Sequence, residues 1–114
     1  MKKPQLTATD LLRSRLNQET ARLPFAELLR HFAAGSVVLV ANELDLVEVA
    51  VQFSQDNKDQ VAQWMTSGQI ARASDEHAQK WIDRADELWA VVVSPWILVQ
   101  EEKRIAQVAR EKMH

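Results

Sequence analysis

The chain reads as an α+β protein: a helix-rich single domain on a small sheet of about three strands, its central strand near residues 88–93. Three observations point there. Leu88–Val99 (LWAVVVSPWILV) is the longest stretch without a charge, and its first half runs through three consecutive valines. Valines lose side-chain freedom in a helix, and an unbroken apolar run suits a strand covered on both faces. Apolar residues recur at helical spacing through most of the remaining chain. Two glycines and three prolines in 114 residues are too few turn formers for an all-β sandwich. At this length one domain is expected, able to bury roughly two thirds of its unfolded surface.

In chain order, residues 1–6 are expected to be disordered and 7–114 to form the domain. Thr7 followed by Asp10 has capping-box spacing and opens a helix over 8–21, with Leu12, Leu16 and Leu23 on one face. Pro24 suits the first turn of a second helix, with Glu27 near its positive end and Phe25, Leu28, Leu29 and Phe32 as its stripe. Gly35 ends it, and His31, one step off the stripe, reads as a surface residue. Val37–Ala41 reads as a buried strand.

The segment 43–54 carries two patterns. Val47, Val49, Val51 and Phe53 alternate as in a strand, whereas Asn42 and Asp45 have capping spacing and Leu46, Ala50 and Phe53 share a helical face. Helix is the preferred reading. Asp56 and Asn57 form a break and a further cap, before a helix that points Val61, Trp64 and Met65 inward and stops at Gly68. Residues 69–73 (QIARA) read as a short strand. Ser74 caps the next helix, with Asp75 and Glu76 opposing its dipole and Ala78, Trp81 and Ile82 inward. After the valine strand, Pro95 has no N–H for a central ladder. The preferred reading is a bulged or broken strand reaching Gln100, then a C-terminal helix near 101–112 bearing Ile105, Val108 and Ala109. The alternative is a helix capped by Ser94 and begun at Pro95.

Charge is unevenly placed around a net of −2. Residues 1–34 hold six basic against three acidic side chains, whereas 42–59 hold five acids against Lys58 and 75–87 five against Lys80 and Arg84. Solvated helix faces account for this, and so does attraction between complementary blocks within one chain or between two. There is no cysteine, which excludes disulfides and thiolate chemistry and fits a reducing, cytoplasmic setting. The first ten residues lack the apolar core of a secretory signal, and no run approaches the ~20 residues of a membrane span.

No chemical signature emerges. His77 beside Asp75 and Glu76 is the densest group of potential ligands, but adjacent helical residues do not converge on one ion. Asp45 and Glu48, three apart on a helix, could pair as carboxylates, which serve acid–base work only when burial separates their pKa values. The serines lack a nucleophile-elbow context, and no Gly-rich phosphate loop is present. No catalytic residue, metal or cofactor is therefore expected. Trp64, Trp81 and Trp89 sit on apolar stripes and read as core, while Trp96, beyond Pro95, is the best candidate for an exposed anchor. The expected interaction surface comprises Trp96, Gln100, Asp45 and Glu48. The leading functional expectation is a non-catalytic protein-interaction or regulatory module, binding a protein partner or itself.

Two alternatives stay open. The segment 49–74 resembles the helix–turn–helix of small excisionase-like regulators, with Val49, Ala50, Val61, Trp64 and Gly68 at the pattern positions. Its second helix presents Lys58, Asp59, Gln60 and Gln63, a poor set for phosphate, so nucleic acid is not the expected partner. The other alternative is a small-ligand-binding protein, or an enzyme without a recognisable motif, using Asp45, Glu48 or Gln100.

Across residues 16–100, the words ETARLPFAELLRHFAAGSVVLVANELDLVEVAV, VAQWMTSGQIARASDEHAQKW and LWAVVVSPWILVQE resemble one bacterial family, domain of unknown function 2288 (DUF2288). The most specific are LDLVEVA and VVVSPWILVQ. The resemblance implies a small bacterial protein and brings no reaction, cofactor or site residue with it.

Overall fold

A computed structural model describes residues 6–102. The expected disorder of residues 1–6, apart from Leu6, and the expected C-terminal helix near 101–112, apart from Glu101 and Glu102, fall outside them. Helix α1 (Ala8–Glu19) opens with the capping box read from the sequence: Thr7 Oγ1 accepts from Asp10 N, and the Asp10 carboxylate accepts from Thr7 N. The helix stops earlier than its apolar pattern suggests. Thr20 turns extended, its hydroxyl donating to the Leu16 carbonyl, and Ala21–Pro24 form strand β1. Pro24 closes this edge strand, where a missing N–H costs nothing. Phe25–Leu28 make a 3₁₀ turn running into the short helix α2 (Leu29–Ala33).

Strand β2 (Val37–Val40) leads into helix α3 (Leu46–Ser54), resolving the ambiguity at 43–54 in favour of helix. Asp45 decides it: its carboxylate accepts from Val47 N and Glu48 N at 3.0 and 3.3 Å. Helix α4 (Lys58–Ser67) is capped by Asn57 and ended by Gly68 at φ 80. Strand β3 (Ile70–Arg72) and helix α5 (Asp75–Asp83) follow as expected, the helix capped by Ser74 with His77 closing the box. Strand β4 (Glu87–Val93) turns through Ser94 and a cis Pro95 into β5 (Trp96–Gln100).

Two expectations about the sheet are corrected. It has five strands, not about three, in the order β1-β4-β5-β2-β3, and its centre is β5 rather than the strand at 88–93. β5 pairs antiparallel with β4 and parallel with β2, while β1 and β3 form the edges. Strand order is set by which neighbours can be covered on both sides, which no local pattern encodes. The valine run leaves cover as it nears the hairpin: Val92 is 58% exposed, whereas Ile97, Leu98 and Val99 are buried.

Alternate β5 residues enter two cores, as the period of a strand requires. Leu98 joins Leu16, Val49 and Val91 beneath α1, α3 and α4. Ile97 and Val99 join Phe25, Ala78 and Trp81 beneath the 3₁₀ turn, α2 and α5. Trp81 is 1% exposed, stacks on His77 and meets Phe25 at a tilt of 56°. Two residues read as inward point out: Met65 and Ile82 are each 51% exposed. Both lie at the margin of a helical stripe, where burial is least complete. Among the described residues no helix is long and apolar enough to cross a membrane.

Candidate functional site

The α3–α4 turn and the β4–β5 hairpin approach each other on one side of the sheet and leave a groove of about 390 Å³ between them. Phe53 closes one end of α3, Val61, Ala62 and Met65 line the α4 wall, and Val93, Pro95 and Trp96 line the hairpin wall. The turn is held open by local chemistry. Asp56 takes φ 55, a region that short polar side chains tolerate better than most. Asn57 caps α4 through Gln60 N and donates its amide to Gln52 Oε1 at 2.7 Å. The floor is apolar, and Asp56, Asn57, Lys58 and Ser94 supply its polar margin.

Trp96 is half-buried, its body packed against the core of α3 and α4. The Arg72 guanidinium lies over its ring at 5.4 Å, a cation–π arrangement worth about 0.5–1 kcal/mol at such sites. Arg72 reaches Trp96 because β3 and β5 flank β2, with Arg72 paired to Val38 and Val38 to Leu98. The strand QIARA was legible in sequence, but this diagonal contact was not.

The four residues expected to share a surface do not share one. Trp96 stands in the groove. Asp45 and Glu48 are at the start of α3, committed to other work. Asp45 caps the helix, and Glu48 accepts from Arg13 Nε at 2.8 Å and Arg13 Nη2 at 3.0 Å, tying α1 to α3. That paired hydrogen bond holds the Glu48 carboxyl below the usual range and the Arg13 guanidinium above its own. The two acids therefore do not form a like-charge pair of the kind acid–base chemistry uses. Gln100 is corrected outright: it is 0% exposed, at the far end of β5 from the groove. Its amide donates to the carbonyls of Ala41 and Leu44 at 2.8 and 2.6 Å. A buried carboxamide that satisfies two loop carbonyls is a clamp on the β2–α3 connection.

A polar cluster missed in sequence surrounds the end of β5. Glu101 accepts from Lys80 Nζ at 2.6 Å and from Trp81 Nε1 at 2.9 Å. Burial alone would raise its pKa, but these two donors and the Lys80 charge outweigh it and leave the carboxyl lowered. Residues 20 apart in sequence gave no pattern to find. His77 is spent on its cap: Nδ1 accepts from Ser74 N, so a neutral ring carries its proton on Nε2. Among the described residues no three His, Asp or Glu side chains converge as metal ligands would. No hydrogen bond joins Ser94, Asp56 and Lys58 as nucleophile and base.

A search of curated proteins finds no match. The solution NMR structure of PA1075 from Pseudomonas aeruginosa is similar, at 36% identity and TM-score 0.72 over 90% of this chain and 95% of that one. The family model described as protein of unknown function (DUF2288) matches residues 11–101, and the chain accordingly belongs to that family.

Proposed function

We propose that the protein is a non-catalytic interaction module that docks a protein partner in the groove between α4 and the β4–β5 hairpin. The observation that carries this reading is the groove itself. An open apolar trough containing an accessible methionine and the edge of a tryptophan is the composition of an interface core, where aromatic anchors and Met concentrate. The complementary charge blocks that suggested self-association are partly used inside one chain, through Arg13–Glu48 and Arg22–Glu87. They therefore support a second copy as partner less than they support a tied-down scaffold.

Site-specific photocrosslinking in the native host tests the reading. A photoreactive residue in place of Met65 is expected to yield a discrete adduct, while one in place of Arg30, on the far side of the sheet, is not. Identical adduct patterns from both positions would refute the groove as docking site. An adduct of twice the chain mass would identify the partner as a second copy.

A second reading draws on α3, the turn at 55–57 and α4, which pack together and feed β3 in a helix–turn–helix order. Asp56 and Asp59 flank the start of α4 and oppose the phosphate neutralisation such binding needs. A shift of duplex DNA at low salt, lost on Lys58→Glu, would favour it.

A further inference from the structure

We infer that the occupant of this groove is an acidic-apolar segment of a partner protein, in which a carboxylate engages Arg72 while an adjacent bulky apolar side chain enters beside Trp96. The inference rests on the docking reading and adds the partner's chemistry. Two arginines of this sheet lie over tryptophans: Arg22 over Trp89 at 5.7 Å, and Arg72 over Trp96 at 5.4 Å. The first stack has its counter-ion, Glu87, at 3.7 Å. The second has none among the described residues, although the guanidinium presents a planar fork of donors suited to a carboxylate. Most other cations among the described residues are matched: Arg13 with Glu48 and Asp10, Arg15 with Glu19, Lys80 with Glu101, and Arg84 with Asp86. Among the described residues Arg30, Lys58 and Arg72 stand outside these pairs; Lys58 lines the groove, and Arg72 lies over the ring of Trp96, which lines it.

Geometry assigns the carboxylate to Arg72 rather than to Lys58. Asp56 lines the groove at the Lys58 end and offsets that charge, leaving the Trp96 end as the positive one. A guanidinium held by an aromatic face is also partly ordered before binding, which lowers the entropy lost when it pairs. A polyanion is disfavoured, because its further phosphates would meet Asp56 and Asp59. A peptide with one or two acids beside an apolar anchor meets neither.

A random peptide library selected on the purified full chain tests this, with the groove followed through the Met65 methyl and Trp96 indole NMR signals. Enriched peptides are expected to pair an aromatic or long aliphatic residue with Asp or Glu within a few positions, and to shift both signals. Arg72→Gln, an exposed change that leaves the core intact, should weaken them by about 10-fold to 100-fold, the range for a charge-assisted hydrogen bond. Arg72→Glu should reject them but accept the same peptides with Lys in place of the acid. Peptides that shift both signals without acidic preference, or bind Arg72→Gln equally well, would overturn the inference and leave the docking reading standing. Displacement of the peptides by a single-stranded or duplex oligonucleotide at those signals would overturn it in favour of nucleic acid. Failure of any selected peptide to shift the groove signals would overturn the inference and the docking reading together.

Discussion

The sharpest contrast at the scale of single residues is between Trp96 and Gln100, four positions apart on the same strand and on the same face of it. Both were expected at one surface, Trp96 because it follows Pro95. Trp96 is at the hairpin, where helical cover ends; Gln100 is beneath the β2–α3 loop, sealed from solvent. A glutamine reads as polar and exposed, and the two carbonyls facing it, 56 and 59 residues away, help make its burial tolerable. Truncating it would remove this donor from both and leave the Ala41 carbonyl with the Leu44 N–H alone. Gln100→Ala is expected to lower unfolding free energy by about 2–4 kcal/mol, and chemical denaturation checks this. The same substitution should leave groove binding unchanged, which separates the clamp from the docking surface.

Among the elements, those whose ends carry local chemistry were readable and those defined by distant partners were not. Caps at Thr7, Asn57 and Ser74 placed three helix starts, while α3 begins after Asp45, three residues later than the start expected at 43. Asp45→Ala removes the cap that chose helix over strand at 43–54 and should cost about 0.5–2 kcal/mol, seen as a lower Tm. At the C-terminus of α4, Gly68 has nothing within 4 Å of an added Cβ, so space is free and only its φ of 80 resists substitution. Gly68→Ala should therefore destabilise by about 1 kcal/mol, with Gly68→Asn milder, because asparagine tolerates the left-handed region. Strand β1 had no such signal: four residues, of which a proline is one, attach to β4 through the ladder and through Arg22, which meets Glu87 and Trp89. Between elements, Glu48 joins α3 to α1 and Glu101 joins the end of β5 to α5. Each carboxyl is lowered in the fold, so each contributes stability that is complete above the unfolded glutamate range. That contribution is lost as pH falls through the folded value. Glu48→Gln and Glu101→Gln should flatten the fall in Tm on the acid side, between about pH 5 and pH 3, relative to the parent chain. Added salt should shrink the Glu48 difference more, because that carboxylate is the more exposed of the two.

For the molecule as a whole, fold class and helix positions were legible because amphipathic periodicity is local. The width and centre of the sheet were not, because strand order depends on contacts across tens of residues. The valine run drew attention to β4, yet continuity of apolar residues measures how dry a strand can be, and neighbours decide how dry it is. β5 has a ladder on each side, and its residues 97–100 are buried against both layers of helices. β4 has a partner on its outer side only from Glu87 to Ala90, and its tip at Val92 is in water. Local opening should follow that hierarchy, since strands with two ladders and two covered faces open only with the global transition. Native-state hydrogen exchange is expected to show β5 and the facing amides of β2 as the slowest group, β4 next to β1 close behind, and β1 and β3 fastest among the strands. Slower exchange across Val91–Val93 than across Ile97–Val99 would return the centre of the sheet to the valine run. It would also remove the reason the hairpin tip, with Trp96 beside it, is free to face a partner.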